Sequence, residues 1–353
     1  MELFRGRKMK IIEYIKETPK YLNHIIDQSE STFESVAELD FDELYITGSG
    51  TSFNAALDVK YYIQKILNKK VVVLNTFDID DLKFGDEKKI LIGISQSGSS
   101  YSTLQALKIA NKMGITTASM TGEETSIIDD EASYNYQIKC GEEKAGAKTK
   151  GYFCTKLNLI LFALIYGKTH DIIGEDVFDG EVNNLREDFE KIEINIENSL
   201  NWVELNKDKF KEIKEIKVVS AYNQYGDVEE SALKLLEAMR IPVSGYEMEQ
   251  FIHGIYNSTN SETNVFILDD GSEERFDNLK KVLQQWTEQV YIISEKENAD
   301  FKIINSKNSS SKHFSYIIPI WVICAEIPEL KGINPEIPLD PKFHIKMNSK
   351  KLS

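Results

Sequence analysis

The sequence predicts an α/β fold of two similar units in tandem, each a mostly parallel sheet flanked by helices. Three observations carry this. Short apolar runs of strand character alternate with longer helix-periodic runs from Leu44 onward, the pattern of strands joined by crossover helices. A highly charged, helix-forming stretch without proline, 182–214, interrupts the alternation, which restarts at Ile216. The 353 residues, 41% of them hydrophobic, suffice for two cores of ordinary size.

The elements follow in order. Segment 1–28 reads as helical because Ile11, Ile12, Tyr14 and Ile15 form an amphipathic pattern. In the first unit, 29–180, strands are expected at 43–47, 71–74, 90–94 and 116–120, with an edge strand at 136–140. Helices are expected at 52–67 and 100–113, and a long apolar helix at 152–166 closes the unit. A helical connector, 181–214, leads to the second unit, 215–353. There the strands are 216–221, 264–268 and 290–294, the helices 228–239 and 273–286, then a buried helix at 314–327 and an extended tail from Gly332.

Composition narrows the function. A formal net charge of −15 argues against nucleic acid as a partner. It also repels anions at long range, although screening confines this to roughly 8 Å at physiological ionic strength, so any anion site must be built locally. The most apolar stretch, Tyr316 to Cys324, is interrupted by Pro319 and is too short for a membrane span. The start of the chain leads into an amphipathic pattern rather than a signal peptide's apolar core. Cys140, Cys154 and Cys324 lack metal or redox spacing and fit buried thiols in a reducing cytoplasm. A cytoplasmic protein without metal or cofactor is expected.

Two turns between strand and helix are suited to anionic or polar ligands. Ser95, Gln96, Ser97, Gly98, Ser99 and Ser100 precede a helix start, where free N–H groups and the positive end of the dipole face outward. Serine hydroxyls add donors, each hydrogen bond to a charged group being worth about 1.5–3 kcal/mol. Such a loop is either a helix cap or a ligand site. The second turn, Gly48 to Ser52, has Phe53 at the third glycine position of a dinucleotide fingerprint, which weakens a nucleotide reading.

In helix 228–239, Glu230, Lys234 and Glu237 fall at i, i+4 and i+7 on one face, while Ala232, Leu235, Leu236 and Met239 lie opposite. The polar face is either solvated or an active site. His253 and Gly254 follow soon after.

These residues resemble the sugar isomerase (SIS) family, in the form found in the isomerase domain of glucosamine-6-phosphate synthase and in the deglycases of fructoselysine 6-phosphate type. The resemblance rests on Glu230 to Glu237, on His253 with Gly254, and on the Ser95 to Gly98 string, and it extends over nearly the whole chain. It implies two SIS domains. It assigns Ser95, Gln96, Ser97 and Ser100 to the 6-phosphate, and Gly50, Thr51 and Ser52 to the hexose. Lys148 stands where the synthase has a serine beside the sugar, in a segment that is otherwise a loop entering a helix. Ile255 replaces the usual proline after His253 and Gly254. The tail around Lys346 resembles the synthase segment whose lysine forms a Schiff base with the keto sugar, so Lys346 is either that lysine or a solvated one. The resemblance also implies a homodimer whose active sites each borrow the His-Gly loop of a neighbouring chain.

The chemistry expected is a proton transfer between C1 and C2 of an open-chain sugar. A carboxylate base suits the C–H step, contributing roughly 10²–10⁴-fold, and an imidazole suits proton traffic at the ring oxygen. Family matching gives these roles to Glu237 and His253, with Glu230 and Lys234 orienting Glu237. Because the chain begins Met1, Glu2, without a glutaminase domain, glutamine-dependent synthesis is not expected of it alone. An isomerase or deglycase acting on a phosphorylated amino- or amine-substituted hexose is expected. The alternatives are an aminosugar-phosphate deaminase and a non-catalytic sugar-phosphate-binding regulator.

Overall fold

Strands covered by helices on both faces need apolar residues at nearly every position. β1 (Glu43–Gly48), β3 (Lys89–Ser95) and β8 (Thr263–Asp269) are buried along their whole lengths. The computed structural model describes residues 9–306 and 312–350; the first eight residues of the expected N-terminal helical segment and the last three of the tail lie outside the described residues. Two five-stranded sheets, all of whose pairs are parallel, form the α/β architecture that the alternation predicts.

In the first unit, α1 (Ile11–Asp27) and the short α2 (Ser29–Thr32) precede β1. Then come α3 (Thr51–Leu67), β2 (Lys70–Asn75), β3, α4 (Tyr101–Lys112), β4 (Thr116–Thr121), β5 (Tyr134–Gln137) and α5 (Lys150–Thr169). Spatial order is β2-β1-β3-β4-β5. In such a doubly wound sheet, ligands bind beyond the carboxyl ends of the strands where the order reverses, here β1 and β3. The turns that leave those two strands are the glycine- and serine-rich segments. α5 is apolar on all sides and is accordingly buried from Lys150 through Gly167.

The long α6 (Glu175–Lys211) separates the sheets. It is no free connector, since it buries Phe178, Leu185, Phe189, Ile192, Ile196 and Val203. The second unit comprises β6 (Glu215–Ser220), α7 (Tyr225–Met239), β7 (Val243–Glu247), α8 (Met248–Ile252), β8, α9 (Phe276–Leu283), β9 (Val290–Ser294), β10 (Phe301–Lys302), α10 (Ile318–Leu330) and α11 (Phe343–Lys346). Its order, β10-β9-β8-β6-β7, repeats the first unit's topology read from the other edge. Among the described residues no helix is long and apolar enough to cross a membrane.

Several elements depart from the sequence expectation. The edge strand is Tyr134–Gln137, because the chain leaves the sheet before Cys140 and turns at Gly141 (φ 63°). α10 begins at Ile318 rather than 314, since Pro319 lacks an N–H and fits the first turn. α9 is shorter at both ends, with Glu273 holding the N–H of Arg275 before the helix and a tighter turn after it. β7 carries Ser244 and Gly245 among its five residues and pairs only with β6, so it gives no apolar run.

The units meet along α3 and α7. Gly226 sits at the closest approach, where a Cβ would lie 2.4 Å from both the Cβ and the backbone nitrogen of Asp58. Inside this interface the buried ammonium of Lys156, from α5, lies 2.9 Å from Asp58 of α3 and 2.9 Å from Asp227 of α7. His313 reaches Asp58 at 2.7 Å and the Tyr152 hydroxyl donates to Asp227 at 2.8 Å. One cation thus ties three helices drawn from both units.

Candidate functional site

The turn after β3 gathers side-chain hydroxyls at the start of α4. Ser100 is the N-cap residue of α4 but its side chain makes no capping bond. Its hydroxyl instead accepts from Thr103 Oγ1 at 3.1 Å and lies 3.3 Å from Ser102 Oγ. Ser97 Oγ lies 3.0 Å from Ser99 Oγ, and Ser95 Oγ accepts the N–H of Ser100 at 3.4 Å. The hydroxyls are therefore clustered around the helix start rather than spent on capping it, which favours the ligand reading over the cap. Gln96 donates to Cys140 Sγ at 3.2 Å and is packed against the start of α5. The turn after β1 joins this cluster through Ser49 Oγ, 3.1 Å from Ser102 Oγ.

The second unit has no such donor set at the matching position. After β8, the N–H groups of Gly271 and Ser272 bond to the carboxylates of Asp269 and Asp270 at 2.9 Å each. Those carboxylates repel an anion and occupy its donors. The hydroxyl-rich strand-end turn therefore belongs to the first unit.

α7 brings its ionisable face to the Gly50 turn. Glu230 is fully buried, accepting from Thr51 Oγ1 at 3.0 Å and from Asn54 Nδ2 at 2.9 Å. Burial pushes its carboxyl above the ordinary range, partly offset by Lys234 and these hydrogen bonds. Lys234 is also buried, 3.6 Å from Glu230 and 2.7 Å from Glu237. Burial alone would lower its ammonium, but the two carboxylates outweigh this and hold it above its usual value. Glu237 stays 38% exposed, its carboxylate held by Lys234. The sequence left this face as either solvated or an active site and expected Leu236 on the packed side. Glu230 and Lys234 are buried, Glu230 packing on α3 where Thr51 and Asn54 satisfy its carboxylate, and Leu236 is exposed.

Thr51, Glu230, Lys234 and Glu237 are thus brought together, with Gly50 and Ser52 in the same turn and the Ser95–Ser100 loop beside it. His253 and Lys346 are not joined to them by any described contact. His253 follows α8 and is 73% exposed, its Nδ1 2.7 Å from the Glu249 carbonyl. A carbonyl only accepts, so Nδ1 is the donor in this contact. Lys346 is 63% exposed and ion-paired with Asp340 at 2.5 Å. Lys148 is half-buried.

Two site residues carried no local signal. Asn54 is one helical turn beyond Gly50, and only its contact with Glu230, 176 positions away, gives it a role. Glu143 is buried and accepts the N–H groups of Thr149 (2.7 Å), Lys150 (3.1 Å) and Gly151 (3.0 Å), capping α5 from outside any capping-box spacing. Its charge also supports Lys234. Among the described residues no cluster of His, Cys, Asp and Glu could hold a metal.

Comparison with known proteins fits this geometry. Residues 39–164 match the SIS domain. A structure from Clostridium difficile 630, described as a candidate phosphosugar isomerase, shares 43% identity, covering 98% of this chain and 100% of that one with a TM-score of 0.94. A candidate sugar-binding protein from Salmonella typhimurium LT2 shares 32% identity over 90% of this chain and 99% of that one, with a TM-score of 0.81. A glutamine–fructose-6-phosphate aminotransferase of Aquifex aeolicus is 30% identical over 256 residues, 70% of this chain and 41% of the relative. The same kind of enzyme from Streptococcus agalactiae is 25% identical over 308 residues, 84% of this chain and 50% of the relative. The chain spans about half the length, or less, of these curated relatives.

Proposed function

The chain belongs to the SIS (sugar isomerase) domain family, and from that premise we propose that it is a phosphosugar isomerase or deglycase acting on a 6-phosphorylated, amino- or amine-substituted hexose. One observation carries this reading. The hydroxyl-rich turns of the first unit are joined to the ionisable face of α7 through Thr51 and Glu230, 3.0 Å apart. A phosphate on Ser95, Gln96, Ser97 and Ser100 then places the sugar across Gly50, Thr51 and Ser52 toward Glu237. Glu237 is the base that moves the proton between C1 and C2. Lys234 holds its carboxylate at 2.7 Å, and Glu230 holds Lys234 and Asn54 in register. His253 opens the sugar ring from a neighbouring chain of a cytoplasmic homodimer. Lys346 is the tail lysine available to a keto carbon once its pair with Asp340 opens.

Incubation with a panel of phosphorylated ketosamines and aminosugars tests this directly, read by released amine and by aldose–ketose conversion. Turnover without dependence on the phosphate would sink the phosphate assignment. Ser97→Ala is expected to weaken a 6-phosphorylated sugar by roughly tenfold with little change in stability, as one hydrogen bond to a charged group is lost.

The shared site has its own test. Glu237→Gln and His253→Ala chains, each inactive alone, are expected to regain activity when mixed and exchanged. An active monomer by sedimentation defeats the shared site. The second reading is a sugar-phosphate-binding protein without turnover, favoured by the likeness to the candidate sugar-binding protein of Salmonella typhimurium. Tight binding with no hydrogen exchange at C1 or C2 would select it.

A further inference from the structure

The tail returns to the first unit and ends on its hydroxyl-rich loop. Beyond α10, Arg240 donates to the carbonyls of Asn334 at 3.3 Å and Ile337 at 2.8 Å. Next to this anchor the tail presses on the loop that leads into α5, so closely that a Cβ on Gly146 would lie 2.2 Å from the Pro335 carbonyl oxygen. At its far end the Ser349 carbonyl accepts the N–H of Tyr101 at 3.2 Å, and Lys350 pairs antiparallel with Ser100. The tail is therefore a strap running from the Gly146 loop to the N-terminus of α4.

Each end of the strap brings a lysine. Lys148 follows Gly146, and Lys350 sits against Ser100. Neither ammonium makes a hydrogen bond or ion pair among the described residues. Lys346 of the same tail, by contrast, finds a carboxylate in Asp340. The two charges also feel each other. Desolvation first, and then the charge of Lys148, lower the Lys350 ammonium below its ordinary value, although much of its side chain stays exposed. Two like charges left unpaired beside a donor-rich loop are stabilised when an anion lies between them.

We propose that Lys148 and Lys350 form a two-ammonium clamp that closes the phosphate site of the Ser95–Ser100 loop, the tail being the strap that carries the second ammonium. This rests on the phosphate reading above and adds to it the residues that neutralise the dianion. Hydroxyls and backbone N–H groups fix the phosphate's orientation, and the lysines supply the charge that a −15 chain otherwise lacks. It also gives the tail a role at the phosphate, separate from any role of Lys346 at the keto carbon.

The test is calorimetric titration of the full chain with glucose 6-phosphate and with glucose, at low and at physiological salt. Lys350→Met and Lys148→Ser are each expected to weaken glucose 6-phosphate by roughly tenfold, to leave glucose unchanged, and to flatten the salt dependence. Gly146→Ala, which displaces the strap without touching a charge, is expected to weaken glucose 6-phosphate as Lys350→Met does. Hydrogen exchange at residues 343–350 is expected to slow when glucose 6-phosphate is added to the parent. If the parent prefers the phosphorylated sugar and the lysine variants bind it as tightly, the clamp is wrong and the loop reading stands. If the parent does not distinguish the two sugars, both are wrong.

Discussion

Glu237→Gln is expected to reduce turnover at least about 100-fold, the lower range for a lost general base. The amide keeps the shape and one acceptor for Lys234, whose ammonium lies 2.7 Å from the carboxylate, so α7 should stay in place. Substrate affinity should survive, because phosphate and hydroxyl contacts come from other elements. The sensitive measurement is exchange of the sugar's C1 or C2 hydrogen with deuterated water, which reports proton removal even when a later step stalls. Glu230→Gln is a useful contrast. Glu230 is buried with Thr51 and Asn54, so its loss should disturb the junction of the units and lower thermal stability as well as activity. If Glu237→Gln exchanges hydrogen as fast as the parent, Glu237 is not the base.

How far the sequence revealed this site depends on the range of each interaction. The Ser95–Ser100 loop was legible because strand, glycine turn and helix start are contiguous, and the absence of a capping bond at Ser100 agrees with its reading as a ligand loop. The spacing of Glu230, Lys234 and Glu237 was equally legible. Their burial was not, because it depends on Thr51 and Asn54 in another unit. Periodicity shows which residues share a face but not what that face meets. The same limit hid Lys156, which read as part of an apolar helix while its partners, Asp58 and Asp227, lie in two other helices. The return of the tail to Ser100 joins residues 250 positions apart and has no local signature.

Lys156→Met is expected to be the most destabilising single substitution in the interface between the units. Removing one partner from a buried ionic network costs about 3–5 kcal/mol, because the remaining charges stay buried without compensation. Methionine fills the space of the lysine stem, so the loss measures charge rather than a cavity. The dependence on pH makes the test specific. In the parent, burial pushes the Asp58 carboxyl up, but Lys156 and His313 outweigh it and hold it below the ordinary range. Asp58 therefore contributes stability that is present above the unfolded carboxylate pKa and is lost as pH falls through the lower folded value. Burial, and then the Asp58 charge, push Asp227 up to about 6. Its contribution has the opposite sign, being present below the unfolded pKa and lost as pH rises through about 6. The two change in different windows, Asp58 below the unfolded carboxylate pKa and Asp227 between that value and about 6. Without Lys156, Asp58 loses the cation that held it down, and both buried carboxyls favour the protonated form. The variant should then recover more stability than the parent as pH falls from 7.5 toward 5, the parent gaining through Asp227 alone. Urea denaturation of both proteins at the two pH values reads the difference. A deficit that is equal at both, or larger at pH 5, would show that Lys156 acts through packing and not as the counter-charge of Asp58 and Asp227.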